Sequence, residues 1–150
     1  MSKAFTKEGD GAGDETVLPV DEWPAGVKNY VTPAGLAALR AELDSTSDAR
    51  RKVALAQRLE AAEVIDPGAL AGDGDGRARF GATVTVEDDD GDVRVWRIVG
   101  VDEAEPARGW VSWRSPIARA LLGRAVGDTT TLRTPAGTQE LTVTEIRYDR

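Results

Sequence analysis

Three stretches of this chain have residue types and spacing that invite a chemical reading. Asp88-Asp89-Asp90-Gly91-Asp92 places four carboxylates within five residues, the donor type that a calcium ion takes. It lacks the twelve-residue loop closed by a bidentate glutamate, so it reads as a solvated hairpin turn. Gly72-Asp73-Gly74-Asp75-Gly76 has the glycine content of a phosphate cradle. No strand pattern precedes it and no helix pattern begins at it, so it reads as flexible linker. Arg50-Arg51-Lys52 could meet a nucleic acid or an acidic protein, but its plainer reading is a solvated helix face. The residue types also exclude much. The 150-residue chain has no cysteine and no histidine. Disulfides, thiolate and imidazole metal sites, His-based acid–base catalysis and the Ser–His–Asp triad are therefore ruled out. These residues single out no catalytic residue, no metal site and no cofactor.

Charge and length bound the partners. The net charge is −7, which argues against sequence-independent binding to nucleic acid. Residues 1–27 hold six acids (Glu8, Asp10, Asp14, Glu15, Asp21, Glu22) against Lys3 and Lys7, which is −4 of that total. Gly-rich and without sustained periodicity, this segment is expected to be a mostly disordered acidic tail, with Val17, Leu18, Val20 and Trp23 as residues that could dock. No apolar run approaches the ~20 residues of a membrane span, and Met1 to Asp14 holds no apolar signal core. A cytoplasmic protein without membrane contact is expected.

The elements that would position any site follow from punctuation and period. Thr32-Pro33 is a helix start, a hydroxyl cap with proline at the first helical position. Leu36, Leu39 and Leu43 then fall on one face. Asp44-Ser45-Thr46-Ser47-Asp48 interrupts with turn and cap residues, and a second helix starts near Ser47 or Asp48. Its apolar positions are expected at Val53, Ala56, Leu59 and Ala62, with Arg50, Arg51, Lys52 and Arg58 among them, and Asp66-Pro67-Gly68 ends it. The two form a short antiparallel hairpin over 28–70. A linker follows over 71–78, and a domain over 79–150. There the pattern alternates: Phe80, Ala82, Val84 and Val86 share one parity. Val93, Val95, Ile98 and Val99 form the returning strand, Trp110 to Trp113 another, and Thr129–Arg133 and Glu140–Tyr148 a last pair around Pro135-Ala136-Gly137. Ser115-Pro116 caps a short helix that Gly123 terminates. The sum is an α+β fold.

Several of these segments, taken in order, resemble one family. They are Phe80–Val86, Arg97–Ala104, Ser115–Gly123, Val126-Gly127-Asp128 and Thr134–Gly137, together with Lys28–Gly35, Leu39–Leu43 and Arg58–Pro67. The chain resembles the bacterial transcription elongation factors GreA and GreB, in the GreB style. The resemblance implies an FKBP-like domain with one short helix behind the helical hairpin, and a monomer that binds RNA polymerase at the rim of its secondary channel. DNA would be met only through the polymerase. It assigns the rim contact to Arg114, Ser115, Pro116 and Ile117, and to Asp102 in the matched Arg97–Ala104 segment. Arg114 departs from the family, which more often has an acid or amide there. Prolyl isomerase activity would rest on fold analogy alone and is not carried over.

The resemblance also marks an absence. The family's long coiled coil ends in a tip whose acidic pair helps hold the polymerase's catalytic metal, and nothing in residues 44–57 matches that motif. The resemblance implies that the distal coil is missing, similar to the short-coiled relative Rnk. Helices of about 14 residues reach about 21 Å, roughly half of what the family threads through the channel. Asp44 and Asp48 at the new turn could mimic the lost acids, but capping is their plainer role. The resemblance thus implies a polymerase-binding regulator that is not an enzyme and is unable to stimulate transcript cleavage. The alternatives are a cleavage factor using Asp44 and Asp48, and an adaptor that uses its tryptophans (Trp96, Trp110, Trp113) on another protein.

Overall fold

The computed structural model describes residues 23–67 and 76–148. The expected acidic tail therefore lies outside the described residues up to position 22, and so does the expected linker up to position 75.

The helical hairpin forms as its punctuation predicts. Thr32 caps helix α1 (Pro33–Ser45), its hydroxyl accepting from the Gly35 amide at 3.0 Å. Asp48 caps helix α2 (Ala49–Ala61) after the turn at Thr46 and Ser47. Each helix has 13 residues, about 20 Å at 1.5 Å per residue. Leu39 and Leu55 meet Val31 in a small core, with Leu36, Leu43, Leu59 and Ala62 packed around it.

One face of α2 differs from expectation. Val53 is 57% exposed and Ala56 is also exposed, whereas Ala54, Leu55 and Arg58 are buried. Successive helical residues lie about 100° apart, so the buried stripe is rotated from the one that Val53 and Ala56 define. Arg58 is the cause: a charged residue counts as solvent-facing by pattern, yet here it turns inward to a carboxylate. Ala62, expected in the helix, begins a strand instead. Strands β1 (Asn29–Val31) and β2 (Ala62–Val64) pair in parallel, Asn29 beside Ala62 and Val31 beside Val64, and close the base of the hairpin. Three-residue strands are too short to show alternation, so sequence period gives no sign of them.

Five further strands build the second part: β3 (Ala82–Asp88), β4 (Val93–Val99), β5 (Trp110–Ser112), β6 (Thr129–Thr134) and β7 (Gly137–Tyr148). Their order across the sheet is β5-β4-β3-β7-β6, with β5 parallel to β4 and the other neighbours antiparallel. Among the described residues of this part, one α-helix forms, α3 (Pro116–Leu121). Phe80, Ala82, Val84 and Val86 are buried as their shared parity predicts, packed with Ile98, Val111, Ala118, Leu121, Leu141 and Val143. Val93 and Val95 face solvent, so the returning strand contributes to the core only from its second half. The fold is α+β, and no described helix is long and apolar enough to cross a membrane.

Two expected boundaries move. Arg77 bridges Ala125, and buried Ala78 exchanges backbone hydrogen bonds with Gly123 and Arg124, so the end of the expected linker is part of the β domain. Trp23, placed by pattern in the acidic tail, is buried against α2. Its backbone amide donates to Gln57 Oε1 at 3.1 Å and its indole to the Val27 carbonyl at 2.7 Å.

The buried stripe on α2 gives a direct test. Leu55→Ala should lower unfolding free energy by about 2–5 kcal/mol, the usual cost of emptying a filled apolar site. Val53→Ala should change it by no more than about 0.5 kcal/mol. Urea unfolding of the two variants checks the register; comparable losses would restore the stripe through Val53.

Candidate functional site

The candidate residues fall in three places: the hairpin tip, the hairpin base and the loop entering α3. At the tip, Asp48 is committed to its cap, Oδ1 accepting from the backbone amides of Arg50 at 2.9 Å and Arg51 at 3.3 Å. Asp44 is exposed on the last turn of α1, where the helix dipole disfavours a carboxylate. Among the described residues, these two aspartates belong to no group of three potential metal ligands. The group that does gather, Asp88, Asp90 and Asp92, is tied up as a turn. Asp88 Oδ1 accepts from the Asp90 and Asp92 amides at 2.9 Å each, and Oδ2 from Gln139 at 3.1 Å. Arg51, in the run read as a solvated face, pairs back across the hairpin with Glu42. That hydrogen bond holds the Glu42 carboxyl below its ordinary value of 4.5.

At the base, the 3₁₀ turn Val101–Glu103 sends two carboxylates into the hairpin. Asp102 receives Arg58 Nε at 3.1 Å on both oxygens, and Arg58 is only 4% exposed. Glu103 accepts from the Thr32 amide at 3.0 Å, from the Thr32 hydroxyl and from the Gly100 amide at 3.1 Å. A Cβ on Gly35 would collide with the Glu103 side chain, so glycine there makes room for the carboxylate. Fully buried Asn29 donates to the Arg58 carbonyl at 3.0 Å. The Arg58 guanidinium also lies 5.7 Å from the Trp23 ring centre. Asp102, a site residue by resemblance, is therefore bonded inside the molecule. Arg58 and Glu103, its companions, were not expected as site residues. Ion pairing between segments distant in sequence leaves no local pattern that could have found them.

At the loop, Ser115 accepts from the Ala118 amide at 3.2 Å, and Pro116 opens α3. Ser115 is buried, while Pro116 and Ile117 are half-buried, Ile117 against the β-domain core. The capping expectation for Ser115 holds. Arg114 lies 5.9 Å over the Trp113 ring, and Trp113 meets Tyr30 edge-on at 5.0 Å. Beside them opens a cavity of about 450 Å³ lined by Val27, Trp113, Arg114, Arg119 and Leu122. The structure thus brings Arg114, Ser115, Pro116 and Ile117 together and leaves the tip aspartates on another element. Of the remaining tryptophans, Trp96 packs half-buried against the core and Trp110 sits between Arg97 and Arg108.

Comparison with known proteins decides the family. Residues 73–148 match the family described as "Transcription elongation factor, GreA/GreB, C-term", half of the chain. The chain belongs to the GreA/GreB family. It is 43% identical over 99 residues to transcription elongation factor GreB of Yersinia pestis, covering 66% of this chain and 56% of that protein. It is 45% identical over 92 residues to GreA of Verminephrobacter eiseniae, covering 61% of this chain and 57% of that one. The chain thus spans under three fifths of each of these relatives. A GreA/GreB structure from Nitrosomonas europaea aligns over 81% of this chain and 99% of that chain, with 22% identity and a TM-score of 0.46.

Two outcomes follow from these charges. Asp102→Ala should cost about 3 kcal/mol, because it strands a buried guanidinium. In a double-mutant cycle with Arg58→Met, the second change should cost far less once the first is made; additive losses in urea unfolding would mean that the pair is not coupled. For Glu42, a lowered folded-state value means the Arg51 contact stabilises above pH 4.5 and fades as pH falls through that lowered value. Glu42→Gln should therefore shrink the gap from wild type on acidification, as read from thermal unfolding at neutral and acidic pH.

Proposed function

We propose that this chain is a non-enzymatic transcription elongation regulator that binds RNA polymerase. Its β domain docks at the rim of the secondary channel through Arg114, Ser115, Pro116 and Ile117, and the hairpin stands at the channel entrance. The observation that carries the second half of this reading is hairpin length. Two 13-residue helices extend about 20 Å, roughly half the coil that the family resemblance implies for a cleavage factor. A carboxylate that stops short of the polymerase's metal ion cannot help to hold it. Asp48, moreover, already serves as a cap.

On this reading the protein acts without chemistry. A hairpin at the entrance excludes a cleavage factor or impedes nucleotide entry by occupancy. Asp102 and Glu103 fix the direction in which the hairpin leaves the β domain, so Asp102 contributes to docking by orientation. Ser115 fixes the loop that the partner reads, since its cap sets the start of α3. The protein acts as a monomer, meets DNA only through the polymerase and works in the cytoplasm.

Backtracked elongation complexes supply the test. The protein should be captured by core polymerase, leave transcript cleavage at its intrinsic rate and slow cleavage driven by a full-length factor. Asp48→Ala should lose about 1 kcal/mol of stability with no change in these transcription readouts. Ile117→Asp should weaken capture by about tenfold or more, as loss of an interface anchor does. Robust cleavage that disappears in Asp44→Ala would replace the proposal with a cleavage factor; absence of polymerase binding would replace it with an adaptor.

A further inference from the structure

Among the described residues, the cavity beside the α3 loop is lined by an indole, two arginines and two aliphatic residues (Trp113, Arg114, Arg119, Val27 and Leu122) and by no acid. Trp113 Nε1 and Arg114 Nη1 are both buried with no hydrogen-bond acceptor. A buried donor without a partner loses its solvation, more so when it is charged, so the indole calls for an acceptor and the guanidinium favours one that carries negative charge. The Asp102 and Glu103 carboxylates cannot serve, being engaged by Arg58 and Thr32.

The chain itself carries the complementary group. All six acids of residues 1–27 lie between Glu8 and Glu22, directly before Trp23. Trp23 is anchored to α2, and its indole donates to the carbonyl of Val27, a residue that lines this cavity. The acidic segment is therefore tethered to the described structure at Trp23, one hydrogen bond away from a residue of the cavity wall. Asp14 and Glu15 follow within ~30 Å of extended chain. Tethering at that range replaces a bimolecular encounter with a high effective concentration.

We infer that the cavity formed by Trp113, Arg114 and Arg119 is a carboxylate-binding site for this chain's own acidic N-terminal segment. The occupant lies against α3 and covers the adjoining Ser115–Ile117 loop. Its carboxylates supply acceptors for the indole and the guanidinium, and its apolar residues Val17, Leu18 and Val20 meet Val27 and Leu122. The segment is thus an internal competitor for the surface that we propose faces polymerase. A basic residue at Arg114 suits that role, because it draws the acidic segment to the edge of the loop. The internal contact stands independently of the proposed function; only its competitive consequence rests on that reading.

Two measurements separate the contact from its consequence. In the full chain, Arg114→Lys keeps the charge and provides an amine that a zero-length carbodiimide joins to any carboxylate touching it. Peptide mass mapping should find an intramolecular amide from position 114 to Asp14, Glu15, Asp21 or Glu22, suppressed at high salt. Arg119→Lys serves the same purpose should the first variant fail to fold. Amides only to acids in residues 23–150, only between molecules, or none at all, would overturn the inference. For the consequence, Asp21→Asn with Glu22→Gln should tighten binding to core polymerase about threefold, the scale of one or two exposed ion pairs. The charge-matched control, Asp90→Asn with Glu140→Gln, should not. Equal or weaker binding by the tail variant removes the competition. Failure of every form to bind polymerase sinks the proposed function instead, and the amide mapping then decides the internal contact by itself.

Discussion

A single buried salt bridge sets the relation between the two halves of this molecule. Arg58 reaches from α2 into the base of the hairpin and is met by Asp102 from the turn after β4. One residue further on, Glu103 takes the Thr32 cap of α1. Adjacent carboxylates thus hold adjacent helices, one by its flank and the other by its first turn. Desolvated ion pairs add little net stability compared with apolar packing. Their value is directional, since the Arg58 Nε–H, shared between both Asp102 oxygens, holds the guanidinium and the carboxylate in one orientation. Apolar packing then fills in around this frame, with Tyr30 seated between Phe80 and Trp113.

That frame changes the meaning of the candidate site. The hairpin leaves the β domain along a direction fixed at its base, and with 13 residues per helix its reach is fixed as well. The loop that we propose faces the partner, Arg114 to Ile117, is braced by the Ser115 cap and by the core contact of Ile117. On that proposal the hairpin acts by occupancy.

Much of the fold was legible because its signals are local. Thr32-Pro33, Asp48 and Ser115-Pro116 all cap the helices they were expected to cap, since capping depends on a side chain and an amide two or three residues away. The alternation from Phe80 to Val86 is read directly as the buried face of a strand with one solvent-facing side. The errors have the opposite character. Val53 and Ala56 were expected on the apolar face because period ranks residues by type, whereas the buried face includes Arg58, held by a partner 44 positions away. The β1–β2 pairing joins segments separated by the whole hairpin, and Ala78 is held by residues beyond α3.

The sequence by itself determined the family, the short reach of the hairpin and the absence of thiol and imidazole chemistry. These depend on residue identity, order and number, which need no third dimension. Only the tertiary structure decided that Asp102 is spent on Arg58, that Asp48 is spent on its helix and that Trp113 and Arg114 open onto a cavity. The reason is that a charged side chain's role is set by whichever group neutralises it. That choice is made by chain segments meeting in space.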